Sequence, residues 1–191
     1  MPEDTYAAQV GSQQITLPII PVSDDLSIAL MMVIDHGVRF AETAGRELAA
    51  QFADAAVDVV VAPATLGIPV AIEVTRALGL DDYVILQKTR KVHLGDALEE
   101  PVHAITSTTG AALLLDRARV SAVAGKRVLF VDDVISSGSS SGAALRLLER
   151  AGAEIVGIGA LLAEGEGWPA ALEPYADRVA VLGRIPVFPR G

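Results

Sequence analysis

Val128-Leu129-Phe130-Val131-Asp132-Asp133-Val134-Ile135-Ser136-Ser137-Gly138-Ser139-Ser140 carries more information than any other stretch of this chain. Val128 to Val131 is apolar without alternation, the pattern of a strand buried on both faces. Two adjacent carboxylates then stand at its carboxyl end. A Ser/Gly loop follows, and Gly142 to Arg150 reads as a helix stopped by Gly152. Hydroxyls and backbone N–H groups at a helix start, with the positive end of the helix dipole behind them, make an anion site. Gly138 lets the backbone close around a phosphate without a Cβ in the way. Ser136, Ser137, Ser139 and Ser140 add hydroxyl donors. Asp132 and Asp133 cannot face that phosphate directly. They suit the hydroxyls of a sugar diol, or a cation. No Gly-Lys-Ser/Thr follows the loop, and the acids precede it instead of lying about 20 residues beyond, so neither a Walker A loop nor a dinucleotide fingerprint is present. Strand, acids and cradle together describe a ribose-phosphate site.

Outward from that stretch, strand and helix signals alternate. Val57 to Ala62 reads as a buried strand ending at Pro63, Pro69 to Leu78 as a helix stopped by Gly79, and Tyr83 to Leu86 as the next strand. Val38 to Phe52 has helical spacing. Ile155 to Leu162 and Val179 to Leu182 read as strands, with an extended tail from Ile185 to Pro189. Ile15 to Val22 contains Pro18 and Pro21 and reads as an edge segment or an arm. Lys88 to Ala104 has no period and reads as a long loop. The order predicts an α/β fold, a central parallel sheet flanked by helices, with ligands at the carboxyl ends of the strands.

Composition narrows the chemistry. The 191 residues include no cysteine, which excludes disulfides, thiolate metal sites and a thiol nucleophile. Three histidines, His36, His93 and His103, are too few for an all-His metal site. A net charge of −9 argues against a duplex-DNA partner. No run of about 18 apolar residues marks a membrane span. The acidic start, Met1-Pro2-Glu3-Asp4, lacks the order of a signal peptide, and a cytoplasmic location is expected. Aromatic residues are only 4% of the chain, so the core is expected to be aliphatic.

Val128 to Ser140 resembles the signature of the type I phosphoribosyltransferases: four apolar residues, two acids, two apolar residues, then a Thr/Ser-Gly loop. The likeness runs from about Val57 to about Leu162 and is nearest to the adenine and xanthine enzymes. It implies that Asp132 and Asp133 hold the ribose 2- and 3-hydroxyls of phosphoribosyl pyrophosphate, and that Ser136, Ser137, Gly138, Ser139 and Ser140 hold its 5-phosphate. It places Ala64, Thr65, Leu66 and Gly67 in the pyrophosphate loop, where this chain has Ala64 and Leu66 in place of the acid or arginine usual there. Lys88 and Lys91, in the basic string Gln87-Lys88-Thr89-Arg90-Lys91, would neutralise the leaving pyrophosphate, and Val92 to Ser107 would form a lid. The string Thr106-Ser107-Thr108-Thr109 is closer to the xanthine enzymes.

Glu164 follows the strand Ile155 to Leu162, where the resemblance puts the residue nearest the base. A carboxylate only accepts, so it prefers an exocyclic amine to a ring carbonyl, which favours adenine. Trp168 is expected in the core. The resemblance implies a single domain with its core over about 36–164 and a base-covering hood from about 1–35 and 165–191. It implies magnesium bridged to substrate oxygens and not caged by protein, and no nucleophilic residue. The expected activity is purine salvage: 5-phosphoribosyl transfer to a purine, adenine favoured, giving a nucleoside monophosphate and pyrophosphate. A homodimer is expected, with no nucleic-acid or membrane partner. A regulatory protein that senses phosphoribosyl pyrophosphate without turnover, and an enzyme acting on xanthine, orotate or another base, are the alternatives.

Overall fold

A computed structural model describes residues 4–90, 92–94, 96–102 and 111–190. Five strands form the central sheet: β4 (Val59–Pro63), β5 (Tyr83–Leu86), β8 (Arg127–Ile135), β9 (Glu154–Glu164) and β10 (Val179–Ile185). Their order is β10-β9-β8-β4-β5, and every pairing is parallel. The α/β reading therefore holds. Along β4 and β8 side chains alternate between two cores. Val59, Val61, Val128 and Phe130 face one, and Val60, Ala62, Leu129 and Val131 face the other. Both faces are covered, which is why these runs are apolar at every position.

The first core is closed by α3 (Ser139–Arg150), by α4 (Trp168–Ala171) and by the hairpin-like pair β6 (Leu98–Pro101) and β7 (Ala112–Leu115). Trp168 is buried in it, as expected from the sequence. The second core is closed by α1 (Val38–Ala50), α2 (Gly67–Ala77) and a separate antiparallel sheet. That sheet joins β1 (Thr5–Val10), β2 (Gln13–Pro21) and β3 (Leu26–Ala29) to β11 (Val187–Pro189) in the order β1-β2-β3-β11. It brings the two ends of the chain together as a hood.

Two segments differ from their sequence reading. The stretch around Ile15 to Val22 is not an edge but the inner strand β2, between β1 and β3. Its prolines are tolerated because each sits where one ladder stops: Pro18 opposes Thr5, the first residue of β1, and Pro21 opposes Ser27 near the turn to β3. The stretch read as a loop from 88 to 104 contains β6, whose four residues Leu98-Glu99-Glu100-Pro101 are too few to show a period. β6 is held by β7 on one side and by α3 through Arg146 and Arg150, which both bond Glu100.

The order of strand addition reverses between β4 and β8. From β4 the chain moves outward to β5, and from β8 it moves the other way through β9 to β10. Such a switch point leaves a crevice at the strands' carboxyl ends, because successive connections leave to opposite sides. The β4–α2 turn and the β8–α3 turn both open there.

Candidate active site

β8 does not stop at Val131. It runs to Ile135, and β9 supports it throughout, with Asp132 opposite Ala160 and Ile135 opposite Ala163. Its pairing with β4 ends at Phe130. Asp132 and Asp133 thus stand beyond the last β4 pair, on a stretch of strand braced by β9 alone, at the mouth of the crevice. Asp132 is buried, and its Oδ1 accepts a 2.9 Å bond from the Asp133 backbone N–H. Burial, and then the neighbouring Asp133 charge, push its carboxyl well above the usual aspartate range, and Lys88 opposes the shift.

Beyond the acids the chain turns through Ser136 and Ser137 into Gly138, which has φ of 76°. The Ser137 hydroxyl lies 3.0 Å from that of Ser139 and accepts from the Ser139 N–H at 3.3 Å. The start of α3, whose first N–H groups have no partner within the helix, lines the same space. Gly138 is required on its other side as well. A Cβ there would lie 2.7 Å from the Ala171 Cβ and 3.1 Å from the Trp168 carbonyl oxygen. The glycine therefore serves the packing of α4 against the loop in addition to leaving the cradle open.

Two adjoining cavities fill the crevice. One, of about 160 Å³, is lined by Lys88, the two acids and the loop from Ser136 to Ser141. The other, of about 330 Å³, shares Lys88, Asp132, Asp133 and Ser136, and extends over Ala64, Thr65, Leu66 and Gly67 to Glu164. Gly67, the first residue of α2, brings its turn close to the acids: a Cβ there would be 3.3 Å from Asp132 Oδ1. The Ala64–Thr65 peptide in this turn is cis. Glu164, the last residue of β9, is buried, and its Oε2 accepts a 2.6 Å bond from the Ser136 hydroxyl.

Of the residues singled out from sequence, Asp132, Asp133, the Ser136–Ser140 loop, the Ala64–Gly67 turn, Lys88 and Glu164 converge on these two cavities. Lys91 lies outside the described residues, as do Gly95, the 103–107 part of the Val92–Ser107 stretch and all of Thr106–Thr109. Arg90 instead pairs with Glu99 at 2.7 Å. The sequence reading missed Ile28, Ala29, Leu30 and Met31, which wall the larger cavity from the hood. Their run carries no polar signal, and Ala29 and Met31 are also core residues, so core and wall look alike in sequence. Among the described residues, no three or more His, Cys, Asp or Glu side chains converge as a metal site, and no helix is long and apolar enough to cross a membrane.

A strand with two acids, an anion loop and a facing turn are what a sugar diphosphate needs, and the family model for the phosphoribosyl transferase domain matches residues 38–181. The chain belongs to the phosphoribosyltransferase family. As a phosphoribosyltransferase, it is a transferase that uses phosphoribosyl pyrophosphate and a nucleobase. Among its relatives is a hypoxanthine/guanine phosphoribosyltransferase of Methanococcus voltae, 33% identical over 138 residues, which cover 72% of this chain and 70% of that one. A xanthine phosphoribosyltransferase of Laribacter hongkongensis is 27% identical over 153 residues, 79% of this chain and 80% of that one. In fold it is similar to the crystal structure of an adenine phosphoribosyltransferase from Thermoanaerobacter pseudethanolicus. The TM-score is 0.73 at 20% identity, over 88% of this chain and 95% of that one. The base is not common to these relatives.

Proposed function

We propose that this phosphoribosyltransferase transfers a 5-phosphoribosyl group to a purine bearing an exocyclic amine, adenine first. The observation that carries the reading is Glu164: a buried carboxylate lining the larger cavity beside the acid pair and the first residue of the anion loop. Ser136 bonds one of its oxygens, and no other bond to its side chain is found among the described residues. A buried acceptor with spare capacity favours a ligand donor and disfavours a carbonyl. Around it the cavity offers Ile28, Leu30 and Met31, and the one cation lining it among the described residues, Lys88, also lines the phosphate cavity.

In this reading Ser137 to Ser140 and the start of α3 take the 5-phosphate, with charge and N–H donors preset. Asp132 and Asp133 accept from the ribose hydroxyls. The Ala64–Gly67 turn and Lys88 face the pyrophosphate, with Lys91 as a second cation. The C1–O bond to pyrophosphate breaks, the C1–N bond to the base forms, and the ring-nitrogen proton leaves. No protein nucleophile is needed. The chain's contribution is to hold the two reactants in line and to place charge where it develops. The donor set suits magnesium, which takes one or two carboxylates and completes its shell with substrate oxygens and water. Asp132 and Asp133 would hold it through the ribose, and it would neutralise the diphosphate.

The test is product analysis with phosphoribosyl pyrophosphate, magnesium and adenine, guanine, hypoxanthine or xanthine. Adenosine monophosphate is expected to form fastest, and Glu164→Lys is expected to move the preference toward the oxopurines. A wild type that prefers xanthine or hypoxanthine refutes the base assignment. Binding without product from any base supports a sensor instead.

A further inference from the structure

We propose that Ser136 is a specificity-determining positioning residue: its hydroxyl aims the Glu164 carboxylate at the base and is not a ligand of the 5-phosphate. The proposal rests on the reading above that Glu164 meets the base. Ser136 Oγ lies 2.6 Å from Glu164 Oε2. Two oxygens that close need a proton between them, and a carboxylate has none to give, so the serine donates. A hydroxyl carries one proton. Phosphate oxygens accept, and a Ser136 hydroxyl spent on Glu164 has nothing to offer them.

The serines of the loop divide along the same line. Ser137, Ser139 and Ser140 line the smaller, phosphate-side cavity and not the larger one, whereas Ser136 lines both. Ser137 and Ser139 bond each other. The division follows from strand register. Ile135 opposes Ala163 as the last pair of β8 and β9, so the next residues along, Ser136 and Glu164, emerge side by side from the end of the sheet. The bond thereby ties the first residue of the phosphate loop to the carboxylate at the base end. Without it, Glu164 keeps its place on β9 but loses the contact that fixes its rotamer, and its preference for an amine over a carbonyl weakens.

Ser136→Ala and Ser136→Thr test this, with two readouts. One is the Kd of phosphoribosyl pyrophosphate with magnesium, by calorimetry. The other is kcat and KM for adenine and hypoxanthine. In Ser136→Ala the Kd is expected to stay within about twofold, while KM for adenine rises about tenfold, the weight of one charge-assisted bond, and the adenine-to-hypoxanthine ratio narrows. Ser136→Thr keeps a hydroxyl and is expected to restore the ratio. A Kd weakened tenfold with an unchanged ratio makes Ser136 a phosphate ligand and overturns the proposal. So does Ser136→Ala with neither readout altered. A wild type without amine preference overturns the base reading and this role with it. A wild type with the preference, and a ratio indifferent to Ser136→Ala, overturns this role alone.

Discussion

Asp132→Asn is expected to stabilise the ligand-free protein while weakening its hold on phosphoribosyl pyrophosphate. Asp132 is buried, and burial and the Asp133 charge push its carboxyl well above the usual aspartate range. In the unfolded chain that carboxyl titrates near pH 4. Between that value and its raised folded value, the folded state binds more protons than the unfolded one. Stability therefore falls as pH rises through that window and stays reduced above it. Asparagine carries no charge at any pH, so it removes the penalty. Its side-chain oxygen still accepts from the Asp133 N–H, which holds at 2.9 Å in the wild type, so the strand end keeps its shape. Relief of this kind at a functional site is worth on the order of 1 kcal/mol. For a chain of 191 residues that raises Tm by roughly 2–4 °C at pH 8. On the binding side, one charge-assisted bond to a ribose hydroxyl is lost, about 1.5–3 kcal/mol or roughly 10- to 150-fold in Kd. Thermal melts from about pH 4 to 8 and calorimetry with magnesium and phosphoribosyl pyrophosphate measure both. The Tm gain should vanish toward the acid end. A gain that persists there, or none at pH 8, would falsify the electrostatic account. An unchanged Kd refutes the ribose assignment.

Gly138→Ala is expected to cost more than about 1 kcal/mol, because alanine is strained at φ of 76° and its Cβ would press on Ala171. It should also weaken phosphoribosyl pyrophosphate by disturbing the loop, and a thermal melt identical to wild type refutes the packing argument. Glu100→Gln tests the anchor of β6. The Arg146 bond at 2.8 Å holds the Glu100 carboxyl below the usual glutamate range, with burial opposing and Arg150 at 2.7 Å adding to the effect. A lowered folded value means that the stabilisation is present above the ordinary glutamate pKa and is lost as pH falls through the folded one. The wild type should exceed Glu100→Gln by at most about 1 kcal/mol at neutral pH, since both arginines are half-exposed. Urea titrations at pH 7 and near pH 3 should show that margin shrinking with acid, and a margin that grows instead refutes it.

Much of the architecture was legible because its signals are local. Val128 to Val131 is apolar at every position because both faces of β8 are covered, and the same holds for β4. Gly79 and Gly152 follow the two helices they were expected to stop. The segments that were misread are those whose neighbours lie far away in the chain. β2 looks like an arm until β1 and β3 flank it, and β6 is four residues that become a strand only against β7.

The same division runs through the site. The motif by itself determined that two acids precede an anion loop at a strand end, since strand, turn and helix start are set by residues adjacent in sequence. Which groups face each other was decided only by tertiary structure. Gly67 lies against Asp132 because β4 and β8 are neighbours at the point where the order of strand addition reverses. Ile28 to Met31 reach the crevice because β11 pins the hood's third strand, β3, from the opposite end of the chain. Ser136 meets Glu164 because of the register of β8 and β9, and a shift of one residue would turn that carboxylate to the other face of the sheet. Sequence carries the chemistry of each side chain. The register and order of strands distant in the chain decide which partner that chemistry finds.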